Sequence, residues 1–285
     1  MDGVVALWKS ERRARWFFGA HLQSGLGAGA GYIALLVLAY ERIGSAWGAT
    51  AILLADLLPA MLLGPLLGAA VDRTSKLGAA ILADVIRALA FAGLVLFDGT
   101  VSMVALAALA GVGTALFRPT TWALLPRLVA PELVAAANGL YGAVREVGFL
   151  LGPALAAGLL AITTPTIVLA ANAATFAVCA LALLPLRGHV REACVEAPRL
   201  EEGPVNVGGV LRHRLVRTLM GTSAVVTLAA GTMNIAELVF AHEELHVGAT
   251  GFGLLVSAYG CGLIAGSIYA GRNQGDVRRR YFAGL

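Results

Sequence analysis

The chain has 285 residues, of which 59% are hydrophobic and 13% charged, against roughly 45–50% and about 25% in soluble proteins. A soluble domain of about this size leaves close to a quarter of its unfolded surface in water and needs charge to cover it, so a mean hydropathy of +0.81 excludes a soluble globule. The net charge of +4 does not indicate a nucleic-acid partner, because the basic residues stand in short runs between apolar stretches rather than along one face. Cys179, Cys194 and Cys261 are far apart and lack CxxC spacing or a histidine cluster, so neither a disulfide framework nor a metal site is indicated.

A bilayer core about 30 Å thick takes about 20 helical residues. Eight apolar runs near that length follow one another at about 17–40, 47–70, 77–97, 100–123, 136–160, 164–185, 216–240 and 249–271. They are continuous rather than alternating, which excludes a transmembrane β-barrel. The basic cluster Lys9 to Arg15 ahead of the first run would suit a secretory leader, but that run continues to Tyr40 and further runs follow. Basic residues set the orientation. With the N-terminus in the cytoplasm, Lys9 to Arg15, Arg73, Lys76, Arg118, Arg127, the arginines of 187–217 and those of 272–280 lie inside or at that edge, leaving Arg42 outside. The expected organisation is a six-helix bundle over 1–185, a polar cytoplasmic linker over 186–215, and the start of a second bundle over 216–285. The linker is too short in apolar residues to build a core of its own.

Two spaced motifs stand out. The second run ends Gly64-Pro65-Leu66-Leu67-Gly68-Ala69-Ala70-Val71-Asp72-Arg73-Thr74-Ser75-Lys76, with glycines one helical turn apart and a charged turn behind them. The fifth run carries Gly139, Gly148, Gly152-Pro153 and Ala156-Ala157. Small residues at such spacing let helix backbones approach closely, and proline removes a backbone donor. The first motif resembles the loop signature between helices 2 and 3 of the major facilitator superfamily, with Ser75 where that family often has glycine. The second resembles the antiporter signature of its exporters, with Ala156-Ala157 in place of a glycine pair. Phe117-Arg118-Pro119, Ala123 to Val129 and Ala137-Asn138-Gly139 are similar to the helix 4–5 region of its bacterial drug and siderophore exporters. Gly262 and Gly266 follow Gly64 and Gly68 by 198 residues, the offset a duplicated half would have.

The resemblance implies an all-α polytopic membrane bundle of the major facilitator fold, with a six-helix N-terminal half and about two helices of the second half. The chain then reads as C-terminally truncated, with the missing half a partner needed in cis or in trans and no transport expected from these residues alone.

Ionisable residues inside spans cost about 2.5–3.5 kcal/mol each and ask for a reason. Asp56 lies mid-span in the second run and is the best single candidate for a titrating site. Asp84 and Arg87 are one turn apart on the third, and Arg145 and Glu146 lie at a similar depth on the fifth, so the four are expected to form a neutral buried network. A structural lock and a proton or substrate relay both fit that arrangement. His21 and Gln23 on the first run, and Asn234 and Glu237 on the seventh, fall on helices that in the superfamily line the central cavity; for His21 and Gln23, interhelical hydrogen bonding is the competing role. Gly27-Ala28-Gly29 stands where relatives often carry an acid, so that acid's proton role is missing.

The expected function is proton-coupled efflux of small amphipathic molecules across the cell (plasma or inner) membrane, with lipid, substrate and protons as partners and no cofactor, metal or nucleic acid. The alternative is a membrane protein that keeps the fold without transporting. An enzyme is not indicated, for want of a clustered set of catalytic groups.

Overall fold

A computed structural model describes residues 7–8, 12–72, 74–186, 214–248, 250–259 and 262. The helices are α1 (Arg12–Ile43), α2 (Ala46–Asp72), α3 (Lys76–Leu96), α4 (Thr100–Leu124), α5 (Val134–Leu160), α6 (Pro165–Leu183), α7 (Arg214–Val239) and α8 (Thr250–Tyr259). No strand occurs among the described residues. Among the described residues six helices, α1 to α6, are long and apolar enough to cross a membrane. Helices are the natural outcome, since hydrocarbon cannot satisfy backbone groups and a helix pairs them within the segment.

Local chemistry sets the ends. Gly44 takes φ +68° and donates to the Tyr40 carbonyl, a left-handed cap that stops α1. Ser75, the departure from the family pattern, is the N-cap of α3, its hydroxyl accepting from the Gly78 amide at 3.2 Å. Lys76, expected as a cytoplasmic-edge charge, is buried, and its Nζ donates to the Val71 carbonyl at the end of α2. Pro165 opens α6 at a position whose amide would be unpaired in any case.

The main packed pairs are α1 with α5 and α6, α4 with α2 and α3, and α3 with α6. This pattern maps onto itself when α1, α2 and α3 are exchanged for α4, α5 and α6, as expected of three helices followed by an inverted copy. The α1–α5 and α2–α4 crossings are admitted by glycine. On α1 and α5, a Cβ on Gly29 would stand 2.6 Å from the Gly148 carbonyl oxygen, and one on Gly152 would stand 2.8 Å from the Gly29 carbonyl carbon. On α4, a Cβ on Gly111 would stand 2.9 Å from the carbonyl carbon of Asp56 in α2.

The core is layered along the helices. One apolar cluster gathers Ile33 to Ala39, Ile52, Leu94, Met103, Leu169 and Phe176. A second gathers Phe17, Leu77, Leu124, Tyr141 and Leu183 near the opposite end, and Val71, Ala79, Ala83 and Leu116 form a smaller third. Between the first two lie buried polar residues, among them His21, Ser24, Asp84, Arg87 and Asn172.

Candidate functional site

The polar layer is centred on α3. Arg87 donates to Asp84, and both are buried. The guanidinium lies 3.8 Å from the Phe117 ring centroid on α4 and 4.2 Å from that of Phe176 on α6, a sandwich that stabilises the cation by its ring quadrupoles. The Cys179 thiol lies in hydrogen-bonding reach of Asp84, with the Ser24 hydroxyl beside it. His21 sits 4.0 Å from the Phe17 ring and 5.3 Å from Phe117, centroid to centroid. Its Nδ1 is 2.8 Å from the Phe17 carbonyl oxygen, which can only accept, so Nδ1 carries the proton. Among the described residues, His21 Nε2, Asp84 Oδ2 and Arg87 Nε are buried without a hydrogen-bond partner.

The expected four-residue network does not form. Arg145 and Glu146 are exposed and pair with each other at 2.6 Å. The reason is packing order: α5 leans on α1 while α3 packs on α4 and α6, so the two charge pairs sit on helices that are not main packing partners.

Asp56, on α2, is half-buried and lies in electrostatic range of Arg118, Arg87 and the Tyr32 hydroxyl, with no ion pair among the described residues. Tyr32 is also in range of Glu237 on α7, so a tyrosine on α1 is in electrostatic range of carboxylates on two other helices. Gln23 turns to α6, donating to the Thr175 carbonyl at 2.9 Å and the Ala20 carbonyl at 3.1 Å. Asn234 belongs to α7, but its side chain lies outside the described ones.

The motif glycines divide. Gly148 and Gly152 form the α1 crossing and Pro153 is buried beside them, whereas a Cβ on Gly139 would meet nothing within 4 Å. Gly64 and Gly68 likewise face open space. Asp72 ends α2 with its side chain outside the described ones, and Arg73 and Gly266 lie outside the described residues.

Contacts of α7 and α8 with the first six helices gather at the end where α1 stops. Tyr40 donates to Glu243 and its ring lies 4.9 Å from that of His242, in the π-helical turn Phe240–Glu244. Leu238, Ala241 and Phe252 are buried in the cluster of Leu36 and Ile52. Nearer its other end, the described side chains of α7 from Arg214 to Ala229 are exposed. Sequence reasoning missed Tyr32, Tyr40, Phe117, Phe176 and Glu243; of these, only Phe117 stood in a noted motif.

No curated protein matches the chain significantly. Among solved structures it is similar to PepTSo, a transporter of the POT family whose crystal structure was determined in meso, at 14% identity and a TM-score of 0.60. The match covers 90% of this chain and 53% of that one, so the chain spans about half the length of that transporter. The family model of the Major Facilitator Superfamily matches residues 17–285. With six membrane-length helices packed in the 3+3 pattern, the chain belongs to the major facilitator superfamily of membrane transporters.

Proposed function

We propose that the protein works in proton-coupled export of small amphipathic molecules across the cell membrane, with Asp56 as the titrating carboxylate. The observation that carries this reading is the setting of Asp56: a half-buried acid with no ion pair among the described residues, beside the α2–α4 crossing and in electrostatic range of groups on α1, α3 and α4. An intramembrane carboxylate of this kind is costly to keep unless it works. The buried Asp84–Arg87 pair is already neutralised, which suits a fixed lock.

With the N-terminus in the cytoplasm, the end joined by Tyr40 and Glu243 is the outer one. The arrangement is then closed outside and open toward the cytoplasm, one of the two states that alternating access requires. Substrate would enter between the bundles, near Tyr32, Asp56 and Glu237.

The test is extrusion of a fluorescent amphipathic dye by energised cells that produce the protein together with a second bundle, in cis or in trans. Extrusion that a protonophore stops, and that Asp56→Asn abolishes at an unchanged membrane-inserted level, is expected. Undiminished extrusion by Asp56→Asn would reduce the carboxylate to a structural role. No extrusion with the wild-type chain in the membrane would favour a non-transporting partner that keeps the fold.

A further inference from the structure

Beyond the transport path, α1 and α6 leave an open groove of about 430 Å³ on the outside of the bundle, lined by Arg15, Trp16, Gly19, Gln23, Val178 and Ala182. We infer that this groove is a binding site for one anionic phospholipid. The occupant is lipid because this face belongs to membrane-length helices and no described helix covers it: Trp16 is 60% and Val178 52% exposed.

The chemistry is graded along α1. Arg15 stands at the mouth, exposed and with no acidic partner among the described residues, and Arg13, two residues earlier and so toward the other side of the helix, is exposed as well. Trp16 beside it is the amphipathic ring that favours the level of the lipid carbonyls. Gly19 follows, with open space where a Cβ would be, and the floor continues through Ala182 and Val178. From Arg15 to Gln23 the helix rises about 12 Å, the distance from a phosphate to the upper part of an acyl chain. Gln23, the one polar group at depth, spends its amide donors on the Thr175 and Ala20 carbonyls, so an acyl chain laid over it strands no donor. A guanidinium at the rim and a small-residue trough behind it match an anionic headgroup and its chain, and a zwitterionic lipid gains less from the same charge.

The site rests only on the chain's membrane embedding, not on transport or its direction. It is tested on the purified full chain, equilibrated in mixed micelles with equal amounts of phosphatidylglycerol and phosphatidylcholine, by native mass spectrometry of the retained lipid. One phosphatidylglycerol is expected to be retained in preference to phosphatidylcholine. Arg15→Gln, which removes the charge, and Gly19→Leu, which fills the trough with the charge intact, should each lower that retention about five- to tenfold. Arg13→Gln should leave it within twofold. Equal retention of the two lipids, or wild-type retention by either Arg15→Gln or Gly19→Leu with helicity unchanged, overturns the assignment, because the site needs both the charge and the groove.

Discussion

Replacing Gly152 by alanine puts a methyl carbon 2.5 Å from the Cα of Gly29, 2.8 Å from its carbonyl carbon and 2.9 Å from the amide nitrogen of Ala30. Carbon atoms pack best at about 3.5–4.0 Å, so α1 and α5 must separate by roughly 1 Å. All three neighbours are backbone, and no rotamer change relieves them. The separation also loosens the next contact along the seam, where Gly148 meets Gly25. Overpacking of this kind costs about 1–3 kcal/mol, against about 1 kcal/mol gained by replacing a helical glycine with alanine. Gly139→Ala on the same helix supplies the control: it takes the same helix-propensity gain in open space. The difference between the two variants therefore isolates the steric cost, about 1–3 kcal/mol, or about 5- to 150-fold in the unfolding equilibrium. Equilibrium unfolding of the purified protein in mixed detergent micelles, followed by circular dichroism, measures it. Gly152→Ala as stable as Gly139→Ala would falsify the backbone-to-backbone seam.

Two further outcomes follow from the same contacts. Arg87→Leu leaves the buried Asp84 carboxylate without its cation and should destabilise the bundle by about 3–5 kcal/mol, while Asp84→Asn combined with Arg87→Leu should recover part of that loss; a double variant no better than the single one by the same unfolding assay would remove the pair as the cause. Tyr40→Phe deletes the hydroxyl that binds Glu243, and Glu243→Gln weakens the same contact, so both should loosen the end where α1 meets α7. The readout is modification of a thiol placed at the fully buried Leu238 by Leu238→Cys, with Cys179, Cys194 and Cys261 replaced by serine; several-fold faster reaction with an impermeant maleimide is expected, and unchanged rates would count against the latch.

Segment positions were legible from the chain alone because they depend on local quantities. Length and hydropathy place each of the first six helices within a few residues of its expected run, and α1 outgrows its run only at its charged N-terminal end and past Tyr40. The spacing of Asp84 and Arg87 likewise foretold their pairing, since one helical turn brings them together whatever surrounds them. The glycine spacing announced close packing somewhere on α5 but could not say that Gly148 and Gly152 carry it and Gly139 does not. Nor could it say that Arg145 and Glu146 would pair with each other, that Phe117 and Phe176 would enclose Arg87, or that Tyr40 would reach Glu243 more than 200 residues away. Those are questions of which helix faces which and how each is rotated about its axis. In a bilayer nearly every face of these helices is apolar, so hydropathy along the chain carries little information about rotation, and only the mutual packing of backbones decides it.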